Sequence, residues 1–506
     1  MFSQKRTLLI LIGLFLLSVI VRLPTLNRPL SKHHEFCTAV ALRVIQIWDE
    51  AGIATCHFNP VMTYPNTADK FINNFASGSG KMVDEGGNYY YVSHPPLAYY
   101  LPFAIFKIFR IKPDVLPIEL LNLFIHFLCG IGVYLILQLL IPNDSMSSPT
   151  RHTSTPLSVT WAPALGGFVA YLFSPGTLWF HSNVYMADIL VQLFFIYGVF
   201  FALKFETEQR KKWLILLGVS SFLMTYTSWL GVFFCMTVIV LSFWRRDFKQ
   251  AIVIAACTAA ALLLTIFQYS QIAGWDALKQ EWFFRFAERS GWSSWNILTG
   301  LILIVKNYLT SYLPLIALLS VLMAFFFRQT TQWSNKNLFS LFILLSTVPI
   351  VLLHSILSNY SGHDFTTLYG GLFFCVIFGM LVHAASQKRK TKWVAAGMIV
   401  FVSLSIAQYY YINRPGEYSV KGNRYADFKD IGKSIAGLSS SDEVIFLKGM
   451  KPSPEIIFYA GRNIQQIHDE NEAIEFLQKH FLAKGVILKV VENNEVHVKN
   501  RITVGF

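Results

Sequence analysis

The sequence is poor in charge: 14% of its 506 residues are Asp, Glu, Lys or Arg, while 54% are hydrophobic. Soluble globular chains carry about 25% charged residues. The deficit is concentrated in long apolar runs such as Leu8–Val21, Leu120–Ile141 and Ile252–Phe267. Many of these runs approach the roughly 20 residues that a helix needs to cross a bilayer. The sequence therefore predicts a helical integral membrane protein.

Cysteine is scarce as well, with six residues and no Cys-x-x-C spacing, so the usual zinc and redox motifs are missing. Four cysteines lie in apolar runs, where a small buried side chain is the simplest interpretation. Cys37 and Cys56 share one loop and could either pair or stay free. The first apolar run, Thr7–Arg22, has no small-residue cleavage site after it, which predicts a retained helix rather than a signal peptide.

The formal charge of +13 is explained by basic clusters beside the apolar runs, as the positive-inside rule requires, so we expect no nucleic-acid partner. Placing those clusters in the cytoplasm predicts a cytoplasmic N-terminus, roughly eleven spans and an extracytoplasmic tail. The predicted spans are 7–23, 118–141, 161–180, 188–204, 213–227, 229–244, 251–268, 313–328, 337–355, 366–385 and 393–411.

Two long outer segments follow from this topology. The first is the loop 24–117, in which the apolar stretch 97–109 is predicted as an interfacial helix; a crossing helix there is the alternative. The second is the segment 269–312, whose Trp residues and charges suit a helix at the headgroup level. Chemistry is expected on the outer face, because the cytoplasmic loops are short.

The predicted organisation is an all-α polytopic membrane domain, 1–413, followed by a small soluble α/β domain, 414–506. In the tail, helix signals over 425–436, 454–461 and 472–483 alternate with strand signals over 443–447, 464–467, 485–491 and 495–504. No catalytic constellation is evident there, so we expect the tail to act as a scaffold or to position an acceptor.

In the first loop, Glu35 lies close to the membrane, where a carboxylate could act as a general base on a lipid-linked substrate. An ordinary solvated carboxylate is the plainer explanation. His94 precedes Pro95-Pro96, which fixes the chain direction and could hold the imidazole at the bilayer surface to bind a phosphate.

Further polar residues fall at the predicted outer ends of later spans. Asp188 could be functional or could cap its helix. His363 precedes the 366–385 span, where a loop His is the ordinary explanation, and Arg285 and Arg289 lie in the second outer segment. The predicted topology places all of these residues on one side of the membrane.

These motifs resemble the GT-C superfamily of polyprenyl-phosphate-sugar-dependent glycosyltransferases, in the style of the protein O-mannosyltransferase and lipid A aminoarabinose transferase branch. The resemblance covers about residues 7–385. It is carried by the first helix ending in Arg22-Leu23-Pro24, an acidic motif about a dozen residues later, the His94-Pro95-Pro96-Leu97 motif, and the stretch from Ser174-Pro175 to Asp188.

The resemblance implies an inverting transfer in which an acid of the first loop deprotonates the acceptor hydroxyl and polyprenyl phosphate leaves. Glu35 would be that base, and His94 would contact the phosphate. Asp188 would act as a supporting or acceptor contact. Arg285, Arg289 and His363 would bind phosphate.

The sequence departs from the family at the first acid of the acidic pair, which is His34 here, so the pair reads His34-Glu35 and His34 joins the substrate-binding candidates. Other acids remain in the same loop as substitutes for the base: Asp49, Glu50, Asp84 and Glu85.

The expected partners are a polyprenyl-phosphate sugar donor, membrane lipids and a lipid, glycan or protein acceptor, in the inner (plasma) membrane. A divalent metal is possible, although no acid cluster has clear metal spacing. Three other functions stay open: a flippase for lipid-linked sugars, a surface-polysaccharide polymerase or ligase, and a structural membrane subunit. The sequence shows no inverted repeat, which argues against the flippase.

Overall fold

The structure is a computed structural model. It describes residues 4–31, 33–73, 79–141, 161–291, 297–333, 336–387, 391–413, 428–491 and 495–505. The first three residues of the predicted tail helix, 425–427, lie outside these ranges.

A bundle of long helices forms most of the molecule, as predicted. Eight stretches in the described part of the chain are long and apolar enough to cross a membrane. The helices before the tail are α1 (Gln4–Arg22), α2 (Glu35–Ala51), α3 (Leu97–Phe109), α4 (Val115–Leu140), α5 (Trp161–Phe173), α6 (Pro175–Asn183), α7 (Ala187–Glu208), α8 (Lys211–Thr225), α9 (Trp229–Trp244), α10 (Phe248–Ser290), α11 (Ile297–Trp333), α12 (Lys336–Ile356), α13 (Gly371–Gln387) and α14 (Thr391–Gln408).

Several predicted boundaries differ from the observed ones for identifiable reasons. The predicted span 161–180 is broken at Ser174, which is extended (φ −61°, ψ 137°) because the following Pro175 disfavours helical geometry there. The predicted outer segment 269–312 is largely helical: α10 is interrupted by the non-helical Ala273 and Gly274 (φ +82°), shortly after the predicted end of a span at 268. Helix α11 begins at Ile297 and is interrupted by the non-helical Tyr312, directly before the predicted start of the next span at 313.

Helix α3 has 13 residues, which corresponds to a length of about 20 Å. The hydrocarbon core of a bilayer is about 30 Å thick. The length of α3 therefore favours the interfacial position over a crossing one.

The tail is a small α/β unit, and its elements lie close to the predicted ones. They are α15 (Phe428–Leu438), β1 (Val444–Lys448), α16 (Pro454–Ala460), β2 (Ile464–Ile467), α17 (Glu470–Lys479), β3 (Lys484–Val490) and β4 (Val496–Thr503). The sheet order is β2-β1-β3-β4. β1 pairs in parallel with β2 and β3, and β4 is antiparallel to β3.

The tail packs against the first loop. Arg462 donates to both carboxylate oxygens of the fully buried Asp69, at 3.0 and 2.8 Å. The hydroxyl of Tyr459 accepts from the backbone N–H of Leu30 at 2.7 Å. Both elements therefore lie on one face of the bundle, which we call the loop face. The loop face is the side covered by the described residues of the range 24–96. Cys37 and Cys56 in this loop are both free.

Helix α16 packs on α2 and buries Glu455, which is 5% exposed. Burial, with a smaller contribution from the Glu35 charge, raises the pKa of Glu455 to about 7. The folded state therefore holds a proton that the unfolded state releases. Its stabilising effect is complete below about pH 4.5 and is lost as the pH rises through about 7.

A Glu455→Gln variant should consequently be more stable than the wild type at pH 8, by up to about 3 kcal/mol, and the gain should disappear at pH 4.5. Thermal unfolding in nanodiscs at the two pH values measures this difference. Glu475→Gln, at an exposed position of α17, is the matched control. An equal shift of the unfolding temperature at both pH values would contradict the burial argument.

Candidate functional site

A cavity of about 290 Å³ opens on the loop face. It contains five of the residues singled out from the sequence: His94, Asp188, Arg285, Arg289 and His363. Aromatic and small apolar side chains supply much of the remaining wall, including Phe36, Val40, Ala41, Tyr91, Ala98, Tyr99, Tyr185, Met186 and Phe365. A mostly apolar wall with a few convergent polar groups is the usual composition of a small-molecule site.

The segment before Pro95-Pro96 is fixed from three sides. Trp229 donates to the carbonyl of Ser93 at 2.9 Å, and Tyr269 donates to the carbonyl of His94 at 2.5 Å. Trp282 donates to the carbonyl of Val92 at 3.2 Å. Because these donors come from α9 and α10, the helix bundle determines where the His94 imidazole lies.

Arg289 and His94 form the basic side of the cavity. The guanidinium donates to His94 Nε2 at 3.1 Å and to the carbonyl of Ser93 at 3.2 Å. Burial, together with the Arg289 charge, lowers the pKa of His94 to about 3, so the imidazole is neutral. Since Nε2 accepts from Arg289, the proton lies on Nδ1, a buried atom with no hydrogen-bond partner among the described residues.

Arg285 lies one helical turn before Arg289 and is paired on its own helix. It donates to Glu281 at 2.9 Å and to Glu288 at 3.1 Å. Glu281 in turn accepts from the backbone N–H and hydroxyl of Ser79, at 2.8 and 2.5 Å. The second half of α10 is thereby tied to the first loop beside the cavity.

Asp188, in the first turn of α7, lies in the cavity wall and is buried. Its Oδ2 accepts from the hydroxyl of Tyr360 at 2.6 Å, and its Oδ1 accepts from Tyr369 and from Ser228 at 3.3 Å. His94 Nε2 is 3.9 Å from Oδ2. The carboxylate is therefore held by three hydroxyl donors, and the capping role considered from the sequence does not describe these contacts.

His363 lines the cavity with part of its ring exposed, and it stacks on Phe365 with ring centroids 5.2 Å apart. Burial of part of the ring lowers the pKa of His363. His34 lies behind it, with its ring centroid 5.5 Å from that of His363. The His34 Nε2 atom is 3.1 Å from Asp364 Oδ1. The contact between His34 and Asp364 connects the first loop to the segment between α12 and α13.

Glu35 is the first residue of α2 and is buried, but it is not among the cavity-lining residues. Its carboxylate forms a two-point ion pair with Arg28, with one contact at 3.0 Å, and accepts from the backbone N–H of Ser31 at 2.8 Å. The proposed role of Glu35 as the base stays a prediction. Asp188 and Glu288 are the carboxylates that line the cavity in the described part of the chain.

Sequence reasoning missed the two tyrosines that hold Asp188. Tyr360 also lies under the Arg289 guanidinium, which is 4.8 Å from its ring centroid. Tyrosine is common where helices leave a membrane, so neither Tyr360 nor Tyr369 carries a distinctive local signal. Only the contact with a buried carboxylate distinguishes them.

Several solved structures share this architecture. ArnT from Cupriavidus metallidurans, bound to undecaprenyl phosphate, matches with a TM-score of 0.60 at 11% identity. The match covers 95% of this chain and 93% of the ArnT chain. The archaeal oligosaccharyltransferase AglB from Archaeoglobus fulgidus, in complex with an inhibitory peptide and a dolichol-phosphate, matches 96% of this chain and 70% of its own with a TM-score of 0.57 at 11% identity. An Archaeoglobus fulgidus oligosaccharyltransferase tethered to an acceptor peptide gives a TM-score of 0.56 at 12% identity, over 96% of this chain and 69% of that one.

The chain has the GT-C fold. At 11–12% identity this likeness is one of architecture. No protein-family model matches the sequence. A comparison with curated proteins also finds no match. The GT-C resemblance noted in the motifs is therefore confirmed for the fold, which includes both the helix bundle and the tail in the match to ArnT.

Proposed function

We propose that this chain is an inverting glycosyltransferase that moves a sugar from a polyprenyl-phosphate donor to a hydroxyl of a lipid, glycan or protein acceptor on the outer face of the membrane. The observation that supports it most is the convergence of Arg289, His94 and Asp188 in one cavity on the loop face. Basic donors beside a carboxylate suit a substrate whose phosphate becomes the leaving group.

The division of the cavity supports this assignment. Arg289 and the neutral His94 would bind the phosphate, since both line the cavity and the Arg289 guanidinium lies beside the imidazole. The aromatic wall formed by residues such as Tyr91 and Tyr99 would accommodate the sugar or the first isoprene unit. The cavity volume of about 290 Å³ is at the lower end for small-molecule sites, which suits one sugar with its phosphate.

We expect Arg289→Gln to weaken donor binding by about 10- to 150-fold, because a hydrogen bond to a charged group contributes about 1.5–3 kcal/mol. His94→Ala should weaken donor binding by a smaller factor. Binding is measured with purified protein in nanodiscs and a panel of radiolabelled polyprenyl-phosphate sugars. His57→Asn, an exposed site in the same loop whose left-handed backbone (φ 50°) Asn tolerates, is the control.

The same assay tests the function itself when membrane extract is added as the acceptor. Label appearing in a new product in the wild type, and strongly reduced in Arg289→Gln, supports the transferase. Donor that binds and crosses the bilayer without forming any product would instead support the flippase. Equal donor affinity in Arg289→Gln and the wild type would remove Arg289 from the phosphate site.

A further inference from the structure

Outside the groups assigned to donor binding, His33, His34 and Asp364 form a second polar cluster. His33 Nε2 lies 3.0 and 2.9 Å from the two Asp364 oxygens, and His34 Nε2 lies 3.1 Å from Oδ1. The three side chains come from two loops that are 330 residues apart. One potential ligand atom from each side chain lies within 4.8 Å of the other two.

We propose that His33, His34 and Asp364 bind one divalent transition-metal ion of the zinc class at the edge of the cavity. Two imidazole nitrogens and one carboxylate oxygen form the three-ligand set that zinc accepts when a fourth position is left open. Magnesium prefers oxygen ligands alone, so this mixed set favours zinc or cobalt.

The spacing of the donors fits such an ion. Zinc–nitrogen and zinc–oxygen bonds of about 2.0–2.1 Å in a tetrahedron place neighbouring ligand atoms about 3.3 Å apart. The His33 and His34 Nε2 atoms lie 3.0 and 3.1 Å from the same oxygen, Asp364 Oδ1, and these distances need to widen by only a few tenths of an ångström.

The backbone supports the same interpretation. His34 adopts a left-handed conformation (φ 58°, ψ 5°), which is uncommon for a residue with a side chain and is frequent at functional sites. This turn allows two successive imidazoles to approach the same carboxylate, with ring centroids 3.9 Å apart. A loop that needed only one hydrogen bond to Asp364 would not require this arrangement.

The position of the cluster beside the cavity suggests a function for the ion. Asp364 is flanked by His363 and Phe365, and both flanking residues line the cavity. A bound cation would add positive charge to a wall that already contains Arg289, where an anionic donor is proposed to bind. Metal binding itself does not depend on the proposed transfer, because it is measured without any donor or acceptor.

The test uses the full chain without a polyhistidine tag, stripped with a chelator in nanodiscs. We expect about one Zn²⁺ per chain by elemental analysis, a tetrahedral Co²⁺ absorption spectrum, and a higher unfolding temperature when Zn²⁺ is added. Asp364→Asn and His34→Asn should each weaken binding by at least about 100-fold, the upper end of the loss seen when a supporting residue is removed.

The two Asn variants are chosen to remain folded. Asn keeps the shape of Asp364, and at position 34 it tolerates the left-handed backbone. His57→Asn should bind the metal as the wild type does. A wild-type chain that binds no Zn²⁺, or Asn variants that bind it unchanged, would overturn the proposal and leave the cluster as a hydrogen-bonded link between two loops.

Discussion

A Glu35→Gln variant should transfer sugar much more slowly than the wild type, and by at least about 100-fold if Glu35 is the general base. The contacts of Glu35 suggest that this slower transfer would have a cause other than the loss of proton transfer. Its carboxylate holds Arg28 and the N–H of Ser31, and these contacts fix the turn that carries His33 and His34. A loss of transfer in the single variant therefore does not distinguish the predicted base from this structural role.

An Arg28→Gln variant separates the two roles. If Glu35 acts by fixing the turn, both variants remove the same ion pair, and their transfer rates should fall by similar factors. If Glu35 is the base, Glu35→Gln should be at least about 100-fold slower than Arg28→Gln, with similar donor affinity and unfolding temperature. We expect the first result, because Glu35 is buried and does not line the cavity. Rates, donor affinities and unfolding temperatures of the two variants decide between these outcomes.

Much of the fold could be predicted because its signals are local. In the tail, Pro454 begins α16, and Gly461 (φ +61°) ends it, as proline and glycine commonly do at the two ends of a helix. In the bundle, the apolar runs are long enough to be recognised without any knowledge of their neighbours. The confirmed fold class follows from such signals.

The boundaries in the bundle were hardest to predict where helices bend. The non-helical Ala273 and Gly274 interrupt α10, and the non-helical Tyr312 interrupts α11. A change from apolar to amphipathic composition looks the same for a kinked helix as for a span followed by an interfacial helix. Composition alone therefore could not place these boundaries.

The site was only partly accessible from the sequence. The motifs and the charge-derived topology placed His94, Asp188 and Arg289 on one side of the membrane, and the structure brings them into one cavity. Their partners were not predictable, because contacts such as Tyr369 with Asp188 span 181 residues. The pairing of Glu35 with Arg28 was also missed, because two residues that lie seven positions apart across an irregular turn give no periodic signal.

Arg462→Ala should loosen the docking of the tail on the loop face. Asp69 is fully buried, and burial raises its pKa to about 6 even though Arg462 lies beside it. Removing one partner of a buried ion pair costs about 3–5 kcal/mol, because the other charge is left uncompensated. Arg462 also donates to the carbonyls of Ser440 and Glu443, at 3.0 and 2.8 Å.

The effect should reach the cavity through the first loop. Tyr459 of the tail accepts from the N–H of Leu30, close to the turn that holds His33 and His34. We therefore expect Arg462→Ala to increase amide hydrogen exchange in the first loop and to reduce transfer. Asp69→Asn combined with Arg462→Gln should restore part of the lost stability, because no unpaired charge remains.

The exposed ion pair of Lys484 with Asp442 provides the matched control, since solvent-exposed pairs contribute little. Lys484→Ala should leave both the exchange pattern of the first loop and the transfer rate unchanged. If Arg462→Ala were equally silent, the tail would not hold the first loop in place, and the contact of Tyr459 with Leu30 would have no consequence for the site. A loss confined to Arg462→Ala, with partial recovery in the double variant, would instead make the tail a structural part of the active site.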